Sequence, residues 1–371
     1  MRRGNAYPVG LATVFLNGRF VADSEAHVSV HDAGFQHGVG LFETMLAVRR
    51  GTDPLSPRVD IEDAVSGAAS RDFGVVHLHE HLSRMRISAM ALGLAERLHP
   101  GPLGEAVERA CERAFASLPE CTRLRVRLTV SGGDLNLLSR AAAARKAAGP
   151  GEPQPEALEI YPTVLVVAQP AIAYPEAMFE EGVLATLAEM RVNPYDPTQG
   201  HKTLNYWARL RELQTAAAKR AGEALVFSIS NHLAGGCVSN ALLVKGHSLI
   251  TPTARGEEEE VAMERERGGD TQADTEMPPT PSQREKRETP SPVLPGVTRA
   301  WALDFASDMG LTIERRQVTV EDVLEADELM LTNSSWGVMP VTRVESRTIG
   351  GGTVGATTKR LMSAWRDLTE G

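Results

Sequence analysis

The chain has 371 residues, 42% of them apolar, enough for two globular domains or one large one. Its formal charge of −9 comes without a sustained basic stripe, which excludes the electrostatic footprint of a nucleic-acid binder or of a protein held on an anionic membrane. A small anionic substrate is still compatible, because local arginines and backbone donors can outweigh a global deficit. Cys111, Cys121 and Cys237 lack metal-ligand spacing and give no disulfide framework, so a reducing cytoplasm is expected. Arg2 and Arg3 have no long apolar run behind them, so no signal peptide is expected. No stretch approaches the roughly eighteen apolar residues of a membrane span.

In chain order, Ala12 to Leu16 reads as a strand, Asn17-Gly18 as a hairpin turn and Arg19 to Val21 as its return. Leu41 to Val48 is a second strand. Residues 51–71 mix Pro, Asp, Ser and Gly and read as a surface excursion. Helical periodicity starts at Leu82, and a second helix runs from about Leu103 to Leu118 before the strand Arg123 to Val130. Residues 141–155 are small, basic and then Gly/Pro-rich, as in a linker.

The second half opens with a strand from Thr163 to Ala168. A helix follows Lys202 to about Lys219, and strands cover Ala224 to Ile229 and Ala241 to Lys245. Residues 254–292 contain Glu257 to Glu260, mixed charge and several prolines, and this composition predicts disorder. A helix around Arg299 to Met309 and strands Leu311 to Val318 and Leu329 to Thr332 close the chain. The tally is an α+β protein with two mixed sheets and peripheral helices.

Four runs hold the chemistry-bearing residues: Asp32 to Thr44, His81-Leu82-Ser83-Arg84-Met85, His201-Lys202-Thr203-Leu204-Asn205-Tyr206 and Leu294-Pro295-Gly296-Val297-Thr298-Arg299. Together they resemble the class IV aminotransferase family over nearly the whole chain, excepting 51–71, 141–155 and 254–292. The resemblance implies fold type IV, two α/β domains with the cofactor site between them, here 1–150 and 156–371. It also implies a homodimer and pyridoxal 5'-phosphate carried covalently on one lysine.

Lys202 takes that place by resemblance, although a lone lysine before a helix is ordinarily a solvated one. Arg84 matches the family arginine that faces the phosphate, and its planar, permanently charged fork suits a dianion. Gly296, Val297 and Thr298 open a helix, where backbone N–H groups and a hydroxyl can converge on phosphate oxygens. By the same resemblance Asn333 and Ser334 lie at the phosphate or the substrate carboxylate. Tyr206 contacts the ring hydroxyl or belongs to the core. Arg125 and Arg127 share a strand face, which is either solvated or available to a substrate carboxylate.

One departure has mechanistic content. Relatives carry a glutamate five residues before a strand-opening Asn, paired with the pyridine nitrogen, and that spacing lands on Gly235 here. Without a carboxylate the electron sink weakens, which disfavours transamination and leaves elimination better tolerated. Three readings follow: an aminotransferase moving an amino group from a branched-chain-like amino acid to a 2-oxo acid, a 4-amino-4-deoxychorismate lyase releasing pyruvate and 4-aminobenzoate, and a degenerate non-catalytic cofactor-binding protein. Lys202-Thr203-Leu204-Asn205 and Asn333 lean toward the lyase, and the family at large leans toward the aminotransferase.

Overall fold

The hairpin at Asn17-Gly18 forms as a two-residue turn with both residues at positive φ, so strand β1 (Thr13–Leu16) pairs antiparallel with β2 (Arg19–Val21) and Leu16 faces Arg19. The structure is a computed structural model that describes residues 12–49, 72–95, 98–134, 162–268 and 289–370. The stretches expected as an excursion at 51–71 and a linker at 141–155 lie outside the described residues.

Two compact units divide the chain. Met1–Ile172 with Lys202–Asn205 and Thr369–Gly371 make the first, and Ala173–His201 with Tyr206–Leu368 the second. The first unit adds β3 (Gly40–Arg49), β4 (Phe73–Val75), β5 (Arg123–Ser131) and β6 (Val164–Pro170) to the hairpin, in the order β2-β1-β6-β5-β3-β4. Its described neighbours are all antiparallel, where a mixed sheet was expected. Helices α1 (Ala33–His37), α2 (Leu78–Ala91) and α3 (Pro100–Ser117) complete it. Leu41 and Met45 of β3, Val126 of β5 and Val166 of β6 share one core with Leu82 of α2 and Val107 of α3. The domain boundary expected at 150–156 therefore falls later, at 172. Strand β6 pairs with β1 and β5 and buries Val166 and Ala168 in the first core.

The second unit is built on a mixed nine-stranded sheet. Its strands are β7 (Val183–Val192), β8 (Glu223–Ser228), β9 (Leu233–Gly236), β10 (Asn240–Lys245), β11 (Ser248–Pro252), β12 (Thr312–Arg316), β13 (Glu328–Asn333), β14 (Gly337–Val344) and β15 (Arg347–Thr348). They run in the order β12-β11-β10-β13-β14-β7-β8-β9, with β15 on β14. The β11/β12, β14/β7 and β7/β8 pairs are parallel. Helices α4 (Ala177–Glu180), α5 (Trp207–Ala218), α6 (Glu258–Gly268), α7 (Val297–Asp308), α8 (Val320–Leu324) and α9 (Ala356–Glu370) accompany it. Among the described residues no helix is long and apolar enough to cross a membrane.

The ends of the 254–292 stretch are ordered, against the expectation of disorder. Glu257 accepts both arms of the Arg299 fork, Glu258 accepts the N–H groups of Gly256 and Ser291, and Glu260 pairs with Arg315. A run of glutamates loses its preference for bulk water when three of its four carboxylates meet a cation or a backbone donor. Residues 269–288 lie outside the described residues.

Candidate active site

In the first unit, β3 is buried on both faces and alternates strictly. Leu41, Glu43 and Met45 point to one face, Phe42, Thr44 and Leu46 to the other. On the first face Glu43 is the lone acid beside apolar neighbours, 1% exposed, opposite the helix α2 face that carries His81 and Arg84 three residues apart. Arg84 donates from Nε to Oε1 at 2.9 Å and from Nη2 to Oε2 at 2.5 Å, and His81 Nδ1 lies 2.7 Å from Oε2. Burial alone would raise the Glu43 pKa. The Arg84 charge and the His81 hydrogen bond override it and bring the carboxyl down to about 2. Burial also lowers the pKa of His81, against the pull of Glu43, so a neutral imidazole donates from Nδ1. Arg84, expected at the phosphate, is thus clasped by a buried carboxylate, and Glu43 is the partner that sequence reading missed. Its signal was an acid in register with Leu41 and Met45.

Lys202–Asn205 runs along the edge of β3 and sets the Lys202 amine against the ring of Phe42, on the other face. Phe42 N–H donates to the Lys202 carbonyl at 3.0 Å, Leu204 N–H donates to the Gly40 carbonyl at 3.0 Å, and Leu41 bridges Thr203. The Lys202 amine lies 4.6 Å from the Phe42 ring centre, and the Arg127 guanidinium lies 3.8 Å from the same centre. Arg127 is therefore engaged on an aromatic ring rather than spread on a solvated strand face.

In the second unit, Gly296, Val297, Thr298 and Ser334 come together. Gly296 is the N-cap of α7 and supplies no side-chain cap, so the first-turn N–H groups are left for another acceptor. A Cβ at Gly296 would sit 1.8 Å from Asn240 Oδ1, so only glycine lets the helix start approach β10. Thr298 is buried, and its hydroxyl lies 3.4 Å from that of Ser334. Two hydroxyls at the positive end of a twelve-residue helix fit a phosphate dianion. Asn333 does something other than expected. Its Oδ1 accepts the N–H groups of Ser335 and Trp336, and its Nδ2 donates to the Val238 carbonyl. Asn333 shapes the turn that carries Ser334. Tyr206 stands at the N-terminus of α5 with the Arg209 guanidinium 6.0 Å from its ring centre.

Gly235 has φ +116, and a Cβ there would meet the Ser239 carbonyl at 2.8 Å. No side chain fits without moving the backbone, so the carboxylate of relatives is excluded by geometry at this position. Glu223 of β8 reaches this turn and accepts the N–H groups of Ala224, Cys237 and Val238 and the Ser239 hydroxyl. Burial pushes its pKa up while these donors oppose the rise. Burial and the Glu223 charge raise the Cys237 thiol to about 12, which removes it as a nucleophile.

A family model described as Amino-transferase class IV matches residues 67–257 and 284–344, more than half of the chain. The chain belongs to the class IV aminotransferase family. Class IV aminotransferases are pyridoxal-phosphate enzymes of fold type IV, and the two units described above have that α+β fold. A putative branched-chain-amino-acid aminotransferase of Methanocaldococcus jannaschii is 23% identical over 356 residues, covering 96% of each chain. Among solved structures, the branched-chain amino acid aminotransferase of Escherichia coli superposes with a TM-score of 0.68 at 20% identity, covering 96% of this chain and 94% of that one. The 4-amino-4-deoxychorismate lyase of Pseudomonas aeruginosa gives a TM-score of 0.64 at 23% identity, covering 95% and 98%.

The fit of Thr298 and Ser334 to a phosphate dianion makes a direct prediction. Thr298→Val keeps the shape of a buried side chain and removes one hydroxyl. Loss of a charge-assisted hydrogen bond of about 1.5 kcal/mol should weaken pyridoxal phosphate binding roughly tenfold, with little change in melting temperature. A fluorescence titration with the cofactor reads this, and an unchanged dissociation constant would remove Thr298 from the cradle.

Proposed function

We propose that the protein is an aminotransferase that moves the amino group of an apolar, branched-chain-like amino acid to a 2-oxo acid. The observation that carries this reading is the Phe42 ring with the Lys202 amine and the Arg127 guanidinium both against it. An amine that can exchange protons and a fork that can take a carboxylate therefore share one aromatic surface. The branched-chain assignment is further supported by the names of the Methanocaldococcus and Escherichia relatives.

Pyridoxal phosphate, when bound, supplies the electron sink that makes bond breaking at the substrate α-carbon feasible. The protein's own part is positioning and proton transfer. Thr298, Ser334 and the first N–H groups of α7 hold the phosphate, and Asn333 fixes the turn that presents Ser334. Nζ of Lys202 takes the α-proton and returns it, acting as base and then as acid. Phe42 keeps water from that amine, and Arg127 orients a substrate carboxylate through a bidentate pair. Glu43 and His81 hold Arg84 in one orientation. The same reading has the enzyme working as a homodimer in a reducing cytoplasm, which suits three free cysteines.

The 4-amino-4-deoxychorismate lyase reading is favoured by Gly235, whose backbone geometry excludes the carboxylate that strengthens the sink. Product analysis separates the two. Leucine, isoleucine and valine in both hands, each offered with 2-oxoglutarate, should yield the matching 2-oxo acid. In the same assay Arg127→Met should raise KM for 2-oxoglutarate by about tenfold or more, since an ionic hydrogen bond contributes about 1.5–3 kcal/mol. Pyruvate released from 4-amino-4-deoxychorismate, with no 2-oxo acid from any amino acid, would establish the lyase instead.

A further inference from the structure

The root of the 254–292 stretch reaches two places at once. Arg255 N–H donates to the Val293 carbonyl at 2.9 Å and Nη2 to the Pro194 carbonyl at 3.4 Å, and the side-chain stem lies against Gly200. A Cβ at Gly200 would meet Arg255 Nε at 2.5 Å, its Cβ at 2.8 Å and its Cδ at 2.9 Å, and Gly200 has φ +79. Two residues farther along the root, Glu257 accepts the Arg299 fork at 2.7 and 2.8 Å, and Arg299 is the residue after Thr298.

The loop pressed by Arg255 is already a chain of turns. Asp196 accepts the Thr198 N–H and hydroxyl, Gln199 N–H donates to the Asp196 carbonyl, and His201 N–H donates to the Thr198 carbonyl. Gly200 and His201 are the two residues immediately before Lys202. On its far side Lys202 is held by the Phe42 N–H. Fixing both flanks leaves the Lys202 backbone little freedom, and on the near flank the Arg255 stem packs against the residue two before it. Among the described residues the buried Nε of Arg255 has no hydrogen-bond acceptor.

We propose that Arg255 is a positioning residue for Lys202, fixing the Gly200-His201 backbone and so the starting point of the reactive amine. The inference rests on Lys202 as the cofactor lysine. It assigns a role to a residue at the root of the acidic stretch, where composition suggests only solvated chain.

The test uses the full chain, pyridoxal phosphate as probe and borohydride to trap the covalent adduct, located by peptide mass. Exposed Lys245 serves as internal reference. Wild type should trap on Lys202 far faster than on Lys245. Arg255→Ala should slow trapping on Lys202 about tenfold or more, as expected when a reacting group shifts by a fraction of an ångström, with Lys245 unaffected. Arg255→Lys, which keeps stem and charge, should recover most of the rate. An unchanged Lys202 to Lys245 ratio in a folded Arg255→Ala protein overturns the proposal and leaves the Lys202 assignment standing. A wild type that shows no preference for Lys202 overturns both. Should Arg255→Ala fail to fold, Gly200→Ala pushes on the same stem from the other side. It must then lower the ratio, and a wild-type ratio there also overturns the proposal.

Discussion

Lys202→Ala should leave a folded protein that has lost turnover by at least about a thousandfold, since it removes the group assigned to both directions of proton transfer. The contacts that fix this stretch are made by the backbone: the Lys202 carbonyl receives the Phe42 N–H, and Thr203 bridges Leu41. These survive the substitution. The substitution also removes the Lys202 side chain from the Phe42 ring, a contact of about 1 kcal/mol at a half-buried site. Melting temperature should therefore move little while product formation disappears. A variant that retains appreciable activity would show that another amine does the work.

The second large effect falls on stability. Glu43→Ala leaves a buried guanidinium and a buried imidazole without their shared carboxylate, and breaking such a cluster from one side costs about 3–5 kcal/mol. Urea unfolding at neutral pH should show that loss. The pH dependence has a defined sign. The Glu43 carboxyl ionises at about 2 in the fold and at 4.5 when unperturbed, so the unfolded chain takes up the proton first as pH falls. The stabilisation, about 3 kcal/mol for such a shift, is complete above about pH 4.5 and lost as pH drops toward 2. His81, whose pKa is also lowered by burial, adds an earlier loss that begins below its ordinary value of 6.5. Wild type should lose stability on acidification from about pH 6.5. Glu43→Gln should flatten the part below about pH 4.5. A variant with the same acid slope as wild type would mean that the carboxylate is not the group being protonated.

Much of the scaffold could be read from residue order. The Asn17-Gly18 hairpin, the strand from Leu41 to Val48 and the helical spacing of Leu82, Met85 and Ala89 are local signals, and the structure has each of them. Strand β6 is different. Val164–Pro170 announces a strand but not which sheet it joins, because sheet membership is settled by long-range pairing with β1 and β5. Strand β14 was hidden by Pro340, which argues against a central strand. Pairing with β7 begins only at Val341, so the missing N–H of Pro340 falls before that ladder starts.

The candidate site shows the same division. Gly296, Val297, Thr298 and Ser334 were singled out and lie together, because a helix start and a strand end are marked in sequence. Glu43 went unnoticed, since its partners are on another element about forty residues away and no local rule couples them. Asn333 was expected at the ligand and serves the turn, a distinction that only hydrogen-bond geometry makes. The acidic run from Glu257 looked solvated because Arg299 and Arg315, which receive it, lie far along the chain.

The central claim is tested most directly by a half-reaction. The pyridoxal phosphate-loaded protein is mixed with leucine in the absence of any acceptor, and the released 2-oxo acid is quantified against protein subunits. One equivalent of 4-methyl-2-oxopentanoate per subunit is expected, followed by renewed release when 2-oxoglutarate is added. No 2-oxo acid from leucine, isoleucine or valine in either hand would contradict it.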